Sequence, residues 1–205
     1  MVIRELKPSQ RVEGRWLALL EDGSILRLGE NEVIDFALYT GKELSEEESA
    51  ALQDSARRSA LKGKTLELLS RKPLSRRELE QTLGRWGAGE EETAALCERM
   101  EQLGYLDDAA YAARVVRHYS VKGYGERKLR DELYRRGVPR DLWDAALEQA
   151  ESPDAAIDAF VAKKLAGKTP DRAQLKKISD ALARRGYRWE DISAALRRCG
   201  AECDE

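Results

Sequence analysis

Apolar residues alternate with polar ones near the start of the chain and recur at helical spacing over most of the remainder. In residues 11–28, two short apolar runs flank the tetrapeptide Glu-Asp-Gly-Ser. Asp-Gly is typical of a tight two-residue hairpin turn, because glycine accepts a positive φ without a clash at Cβ. The pattern therefore predicts a β-hairpin covered by a short helix over residues 31–38. This small N-terminal unit is predicted to span residues 1–43.

From Ser45 onward the pattern is helical, and capping signals and glycines divide it into segments. Both Ser45–Glu48 and Ser75–Glu78 match the capping box, in which a hydroxyl and a glutamate three residues later satisfy each other's main-chain amides. Glycine and proline mark the predicted helix ends. The predicted helices cover about residues 45–71, 75–86, 90–103, 107–119, 127–136, 139–150, 153–166, 171–185 and 189–199.

One motif of helix, glycine and helix occurs three times. It has an apolar residue, a second apolar residue four positions later and a glycine four positions after that, with offsets of 50 and 49 residues between copies. Repeats of this length indicate a tandem array, in which neighbouring copies either stack or follow one another without packing. We therefore predict a mostly α-helical, elongated protein of three-helix, helix-turn-helix-like repeats over residues 44–104, 105–151 and 152–205. The aligned residues are Leu79, Leu129 and Ile178, then Leu83, Leu133 and Leu182, then Gly87, Gly137 and Gly186.

Charge changes this picture, because a formal net charge of -2 hides strong segregation along the chain. Residues 111–140 carry nine basic and three acidic side chains, and residues 163–198 carry eleven basic and four acidic ones. Residues 75–110 and 141–162 are acidic. A charged partner responds to these local fields rather than to the total, so the sequence predicts two basic faces.

The basic faces supply the candidate contact residues. Helical spacing turns Leu129 and Leu133 inward, so most arginines around them are expected to point outward. The alternative is a solvated helix face with internal ion pairs, such as Asp131 with Arg135. The candidates for contact with a protein or nucleic-acid polymer are Arg114, Arg117, Lys122, Tyr124, Arg127, Lys128, Arg130, Arg135 and Arg136 in the second repeat, and Lys176, Lys177, Arg184 and Arg185 in the third.

The tyrosines and tryptophans admit a structural interpretation. Tyr119 and Tyr124 could stack on bases, but tyrosines at such positions more often cover the junction between helices. We expect Trp86, Trp143 and Trp189 to anchor the cores of the repeats.

Signals for catalysis and for metal binding are weak. The single His118 has no serine or cysteine nucleophile in a recognisable context. Cys199 and Cys203 are close in sequence but lack further ligands, so no metal is predicted. We predict a protein that is not an enzyme and needs no cofactor. No run of eighteen apolar residues is present and the first residues lack an apolar signal region, so a cytoplasmic location is expected.

Two stretches resemble a known family. Residues 104–119, GYLDDAAYAARVVRHY, and residues 123–138, GYGERKLRDELYRRGV, are similar to the central region of RecX proteins, the bacterial regulators of RecA recombinase. The resemblance implies tandem three-helix repeats and a monomer. It implies binding to RecA and to its filament on single-stranded DNA, where the protein modulates and mainly inhibits recombinase, ATPase and co-protease activities in DNA repair and the SOS response. The positions carried over as contacts are Arg127, Lys128, Arg130, Arg135 and Arg136.

Two other functions stay open at this point. The chain could be a general, non-specific binder of single- or double-stranded DNA that acts by coating it, or an enzyme whose site is not recognisable. RecX proteins are often strongly basic, whereas this chain is near neutral. That difference implies weaker binding to DNA than to RecA.

Overall fold

The computed structural model describes residues 1–165 and 171–198. Cys199 and Cys203 lie outside the described residues. The predicted fold class is confirmed, since the chain is mostly helical with a small N-terminal sheet. It forms two compact units, Met1–Arg71 and Lys72–Glu205, here called unit 1 and unit 2. Within the described residues, no helix is both long and apolar enough to span a membrane.

Unit 1 contains a three-stranded antiparallel sheet and two helices. The strands are β1 (Ile3–Pro8), β2 (Arg15–Leu20) and β3 (Ile25–Gly29), in the order β1-β2-β3. Helix α1 covers Glu30–Asp35 and helix α2 covers Glu46–Arg71. The predicted hairpin is present as β2 and β3. The prediction missed β1, and it extended the short helix to residue 38, although the helix ends at Asp35.

The core of unit 1 lies on one face of the sheet, where alternate residues of β2 and β3 meet the first half of α2. Ala18 and Leu28 from the strands pack with Leu52 and Ala56 from the helix. This alternation follows from the period of two along a strand, which places every second side chain on the same face. The opposite face of β2 and β3 consequently presents the intervening side chains.

One buried charge joins α1 to the rest of unit 1. The Glu32 carboxylate accepts hydrogen bonds from the Gly29 N–H at 2.8 Å, the Ser55 hydroxyl at 3.1 Å and the Ser59 hydroxyl. Burial by itself raises the pKa of Glu32, but these three donors outweigh burial and hold the pKa below its ordinary value. The charged form of Glu32 therefore stabilises the contact between α1 and α2.

In unit 2 every regular element among the described residues is a helix, and turns connect the helices. The helix boundaries follow the predicted ones closely. The exception is the predicted helix to residue 150, which is shorter and begins with a 3₁₀ turn at Arg140–Leu142. The helices are α3 (Arg76–Arg85), α4 (Glu90–Gln102), α5 (Asp108–Val121), α6 (Glu126–Arg135), α7 (Trp143–Leu147), α8 (Pro153–Leu165), α9 (Arg172–Arg184) and α10 (Trp189–Arg198). The predicted start of the first repeat, residue 44, falls in unit 1, and the division into three repeats stays a prediction.

Two apolar cores lie within the second and third predicted repeats. Leu129 and Leu133 are buried in one, and the aligned Ile178 and Leu182 are buried in the other. Trp143 anchors the first of these cores as predicted, and its indole N–H donates to the Val138 carbonyl at 2.9 Å.

The other two tryptophans of unit 2 do not anchor cores as predicted. Trp86 and Trp189 are 40% and 59% exposed. Trp86 directly follows α3, and Trp189 is the first residue of α10.

The aligned helices α3, α6 and α9 contact one another in chain order. The Ser75 hydroxyl at the start of α3 donates to the main-chain carbonyl of Arg136 at the end of α6. The aligned Gly125 N–H at the start of α6 donates to the main-chain carbonyl of Arg185 at the end of α9, at 2.9 Å. The same junction therefore occurs twice, at positions related by the repeat.

The aligned glycines have a second role beyond ending helices. Gly137 and Gly186 have φ of 69° and 90°. A Cβ on Gly186 would lie 2.5 Å from the Lys128 nitrogen, and a Cβ on Gly137 would overlap the Arg77 side chain. Gly87, at the end of α3, has φ of 86° but no heavy atom within 4 Å of the position of a Cβ. At Gly137 and Gly186 the neighbouring helix approaches so closely that a side chain would not fit, whereas at Gly87 there is room for one.

Helix α9 differs from its counterparts at its start. Helices α3 and α6 begin at the aligned residues Arg76 and Glu126, whereas α9 begins at Arg172, one turn before the aligned Leu175. The Asp171 carboxylate caps this additional turn. The start of α9 therefore lacks the shape that α3 and α6 present to the next repeat.

Candidate interaction surface

The predicted contact residues of α6 surround a helix whose apolar side is buried. Gly125 precedes the helix and Gly137 ends it, and Leu129 and Leu133 face the core. Glu132 also lies on the inner side, with 6% of its surface exposed. A buried carboxylate attracts neighbouring arginines, so the arginines of α6 do not form one uniform outward face.

Arg136 is part of a network inside unit 2. Its guanidinium donates to the Tyr111 hydroxyl at 2.6 Å and to the Glu78 carboxylate at 3.5 Å. The Tyr111 hydroxyl in turn donates to Glu78 at 2.8 Å. Burial, followed by the hydrogen bond to Glu78, raises the pKa of Tyr111 to about 12. Arg136 consequently joins α3, α5 and α6, and we call these three residues the Arg136 network.

Two further arginines of α6 have acidic partners nearby. Arg130 donates to Glu126 at 2.9 Å and to Asp144 at 3.0 Å. Arg135 pairs with Glu132 rather than with Asp131, the partner considered from the sequence. The pairs of Arg130 are partly exposed, and pairs of this kind contribute roughly 0–1 kcal/mol each. The Glu132 carboxylate is buried, so its pair with the exposed Arg135 mainly compensates a buried charge.

Arg127 and Arg185 lie at the junction between α6 and α9. Arg127 donates from its guanidinium to the Ala183 carbonyl at 3.0 Å, and its main-chain N–H donates to the Gly186 carbonyl at 3.1 Å. Arg185 lies over the Phe160 ring, with its guanidinium carbon 4.6 Å from the ring centroid. Both guanidiniums therefore have contacts within unit 2.

Arg185 and Arg136 occupy the same position of the repeat. Arg136 lies over the Tyr111 ring at 5.9 Å, and Phe160 aligns with Tyr111 at an offset of 49 residues. An arginine at the end of one helix thus covers an aromatic ring of the first helix of the same repeat, twice. This pairing gives both arginines a structural role that charge counting does not reveal.

Tyr124 and Lys122 both contact Tyr119. The two tyrosine rings are 5.8 Å apart between centroids, and the Lys122 ammonium lies 5.3 Å from the centroid of the Tyr119 ring. Tyr124 is half-buried at the edge of the core of the second repeat. This placement agrees with the packing interpretation of the tyrosines.

The remaining candidates divide by exposure. Lys128 is half-buried, and its main chain lies close to Gly186. The others are exposed, and none of them forms an ion pair with a described residue. We call these five the outward cations: Arg114 and Arg117 on α5, and Lys176, Lys177 and Arg184 on α9.

Chemistry of other kinds is sparse among the residues that the structure describes. Residues 1–165 and 171–198 contain no group of three histidine, cysteine or acidic side chains arranged to hold a metal ion. His118 is exposed and contacts Tyr119 edge-on, with ring centroids 5.1 Å apart. Burial raises the pKa of Cys97 to about 11, and a thiol of that pKa is a poor nucleophile near neutral pH.

Comparison with known proteins identifies the family. The family model described as the second three-helix domain of RecX matches residues 107–147, which contain α5, α6 and α7. A regulatory protein RecX of Xanthomonas campestris pv. campestris (strain B100) is 35% identical over 137 residues, covering 65% of this chain and 84% of the relative. The chain belongs to the RecX family. The resemblance noted in the sequence is therefore confirmed.

Other RecX proteins extend the match over both units. The regulatory protein RecX of Streptococcus pneumoniae (strain Hungary19A-6) is 25% identical over 208 residues, covering 100% of this chain and 80% of the relative. A crystal structure of a regulatory protein RecX has a TM-score of 0.74 at 22% identity, covering 96% of this chain and 98% of its own. The crystal structure of RecX from Lactobacillus salivarius has a TM-score of 0.66 at 18% identity, covering 70% and 96%. At these identities the two structures support the fold alone.

Sequence reasoning missed the junction residues of this RecX protein. The sequence assigns Ser75 and Glu78 to a capping box, and they do cap α3. Ser75 also bonds to the Arg136 carbonyl, and Glu78 is a member of the Arg136 network. A usable signal was present, since Arg136 aligns with Arg185 and Tyr111 aligns with Phe160 in the repeat. A polar or aromatic pair that recurs with the apolar positions indicates a structural contact.

Proposed function

We propose that this protein regulates RecA by binding RecA and its filament on single-stranded DNA. In this role it mainly inhibits the recombinase, ATPase and co-protease activities of RecA during DNA repair and the SOS response. Membership of the RecX family supports the assignment to RecA regulation. The mechanism would be contact by a surface, without a reaction at an active site.

The outward cations carry the proposal for where contact occurs. Arg114 and Arg117 are exposed on α5, inside the region that matches the RecX family model. Lys176 and Lys177 are exposed on α9, and the main-chain bonds at Gly125 and Arg127 connect α9 to the second repeat. Arginine and lysine at such positions suit carboxylates of a protein or phosphates of a nucleic acid.

The paired arginines of α6 and Arg136 at its end have a supporting part in this proposal. Arg130, Arg135 and Arg136 have acidic or phenolic partners, so they hold the shape of the surface rather than contact the filament directly. Arg127, Lys128, Lys122, Tyr124 and Arg185 lie at or near the junction and are proposed to fix the spacing of the two repeats.

The decisive experiment measures RecA inhibition by a charge-reversed variant. Arg114→Glu with Arg117→Glu should retain the helical circular dichroism but lose at least about tenfold in inhibition of the DNA-dependent RecA ATPase, since each like-charge contact weakens binding. Strand exchange and filament disassembly should be assayed in parallel, at ratios well below one regulator per RecA.

A matched control separates local contact from total charge. Arg4→Glu with Lys62→Glu makes the same change in net charge at two exposed positions of unit 1. We expect this control to inhibit RecA like the wild type. Unchanged inhibition by the α5 variant would contradict the proposed contact, and equal losses in both variants would show that net charge alone matters.

A second candidate function is coating of DNA, which the unpaired state of the outward cations among the described residues favours. Phosphate contacts give binding that falls steeply with salt. Titration of single-stranded oligonucleotide at several salt concentrations, without RecA, measures this directly. DNA affinity that equals the affinity for RecA filaments would favour coating over RecA regulation.

We further propose that the protein acts in the cytoplasm as a monomer built from three repeats, over residues 44–104, 105–151 and 152–205. The recurrence of the junction at Gly125 and Ser75 supports the repeat division. Light scattering in the presence and absence of RecA tests the monomer.

A further inference from the structure

Unit 1 contains a wide groove that the proposed function does not use. It has a volume of about 1140 Å³ and is lined by residues of the sheet, of the loop between β1 and β2, and of α2. On the helix side its wall combines the small residues Ser59, Ala60 and Gly63 with the charged Lys64 and Glu67. On the sheet side it is formed by β3 and by the loop between β1 and β2, residues 9–14. Sites for small molecules typically have about 300–1,000 Å³ and are more enclosed, so this groove suits an extended ligand.

The groove concentrates positive charge in an otherwise acidic region. Residues 1–50 contain six basic and eleven acidic side chains, and four of those six basic side chains line the groove. Lys64 of α2 joins them, and only two acidic side chains, Glu13 and Glu67, line the same space. Glu67 pairs with Arg71. The basic residues of the groove are Lys7, Arg11, Arg15, Arg27 and Lys64.

The arginines of the groove keep their charge available. Arg11, Arg15 and Arg27 are exposed, and none of them forms an ion pair with a described residue. Arg27 lies opposite Leu17 in the sheet register, and Arg15 lies opposite Gly29. Gly29 is two residues from Arg27 on β3, and side chains two residues apart lie on the same face of a strand. Arg15 and Arg27 therefore project from the same, outer face of the sheet, opposite the face of Ala18 and Leu28.

The edge of β3 beside this groove has unpaired main-chain groups. The Leu20 N–H donates to the Ser24 carbonyl at 2.8 Å, which fixes that pair as a hydrogen-bonded one. Hydrogen-bonded and non-hydrogen-bonded pairs alternate along an antiparallel ladder. The main chain of Leu26 therefore bonds to β2, whereas the N–H and C=O groups of Ile25 and Arg27 point away from β2. The Gly29 N–H follows the same alternation, since it donates to Glu32.

The two edges of the sheet differ in protection. At β1, the chain itself covers the edge: the Ile3 N–H donates to the Lys42 carbonyl at 2.9 Å, and the Leu6 N–H donates to the Thr40 hydroxyl at 3.1 Å. At β3, no described residue outside the sheet bonds to the main chain of Ile25 or Arg27. Exposed edges of this kind are templates for a further strand.

We propose that an extended acidic peptide segment of a partner protein binds this groove and adds as a fourth strand to the edge of β3. Its main chain would pair with Ile25 and Arg27, and its carboxylates would contact Arg11, Arg15 and Arg27. Small residues on α2 leave room for a strand at the usual spacing of about 4.8 Å from β3. This interface lies in unit 1 and goes beyond the RecA-binding surface proposed for unit 2.

A peptide fits this groove better than a nucleic acid does. Proteins that bind single strands stack bases on aromatic side chains. None of the described residues that line the groove is aromatic. Main-chain donors and acceptors at a strand edge instead match the repeat of a peptide backbone, and the arginines select acidic side chains on it.

The test uses the full chain and a defined probe, a fluorescein-labelled nonapeptide that alternates glutamate with valine or threonine. Fluorescence anisotropy should report saturable binding, and hydrogen exchange should slow at the amides of Ile25 and Arg27. Arg15→Glu with Arg27→Glu should weaken binding at least about tenfold through charge repulsion. Ile25→Pro removes one edge donor while it keeps every charge, and it should also weaken binding about tenfold, because this N–H lies outside the β2 ladder.

Two controls and an independent readout make the result decisive. Arg4→Glu with Lys62→Glu has the same charge change outside the groove and should bind the peptide like the wild type. A nonapeptide with lysine in place of glutamate should not bind. If Ile25→Pro alters the circular dichroism, the arginine pair and the exchange pattern at Ile25 and Arg27 still decide.

Several outcomes would overturn the proposal. Absence of saturable binding by the acidic peptide would refute it, as would equal binding by the lysine peptide. A single-stranded oligonucleotide that binds the groove as tightly as the peptide, with the same loss in the Arg15 and Arg27 variant, would assign the groove to nucleic acid instead.

Discussion

The two junctions of unit 2 have the same position in the repeat but different chemistry. At the first, α3 meets α6 through side chains: the Ser75 hydroxyl bonds to the end of α6, and Glu78 and Tyr111 hold Arg136. At the second, α6 meets α9 through the main chain, from the N–H groups of Gly125 and Arg127. A side-chain junction depends on particular residues and on their protonation. A main-chain junction depends on space, because no substitution other than proline removes its N–H donors.

The largest effect is expected from filling the space at the second junction. Gly186→Ala places a methyl group 2.5 Å from the Lys128 nitrogen and also strains a residue whose φ is 90°. We expect a loss of about 3–4 kcal/mol in the free energy of unfolding, since the main chain cannot move aside without breaking the junction. Urea denaturation followed by circular dichroism measures the loss.

Gly87→Ala is the matched control for that change. Gly87 has φ of 86° and occupies the aligned position, but it has no heavy atom within 4 Å of a new Cβ. Only the backbone strain remains, which is about 1–2 kcal/mol. Equal losses at both glycines would show that φ alone matters and that the junction tolerates the methyl group.

The second prediction removes the centre of the first junction. Arg136→Met keeps the volume but leaves the Tyr111 hydroxyl and the Glu78 carboxylate without their shared partner, which should lower the free energy of unfolding by about 2 kcal/mol. Arg185→Met removes the aligned arginine, which has a ring contact and one bond of 3.5 Å to the Gly123 carbonyl, and should lower it by about 1 kcal/mol. Thermal denaturation of both variants compares them, and a larger loss for Arg185→Met would reverse our ranking of the junctions.

The third prediction uses pH to weaken the same network without mutation. The pKa of Tyr111 is raised from 10.0 to about 12, so the folded state holds its proton more tightly than the unfolded state does. The stabilisation is fully present below about pH 10 and is lost as the pH rises from about 10 to 12. Tyr111→Phe should flatten this part of the stability profile relative to the wild type. A profile that is the same in both proteins would exclude Tyr111 as the titrating group.

The smallest effect on stability is expected from the outward cations. Lys176→Glu with Lys177→Glu changes two exposed side chains that form no ion pair with a described residue, so the free energy of unfolding should change by only about 0.5 kcal/mol. Inhibition of RecA should fall in the same variant if α9 contacts the filament. A large loss of stability would place these lysines with Arg136 among the residues that hold the fold.

Much of the fold could be predicted from the sequence, because local signals determine it. Capping boxes, apolar residues at helical spacing and recurrent glycines located the helices of unit 2 to within a few residues. Strand β1 escaped because its polar residues, such as Arg4 and Lys7, leave no clear apolar face. Its pairing also depends on partners that lie between eight (Pro8 with Trp16) and seventeen (Ile3 with Leu20) residues away. The exposed Trp86 and Trp189 were misassigned because tertiary contacts decide whether an aromatic ring is covered.

The candidate surface could be predicted only in part. The sequence located the basic segments, but it could not tell Arg114, which has no acidic partner among the described residues, from Arg136, which has acidic and phenolic partners. The partners Glu78 and Tyr111 lie 58 and 25 residues away along the chain. Charge counts over a segment average such residues together, and only the fold separates the side chains that support a surface from those that form it.

The additional turn at the start of α9 limits how the architecture can evolve. Duplication of a repeat is the simplest way to lengthen such a protein, and each new copy needs a preceding helix whose first residue meets its terminal glycine. Helix α9 begins at Arg172, one turn too early to offer that surface. A descendant with a fourth copy after α10 would first have to delete this turn and its Asp171 cap.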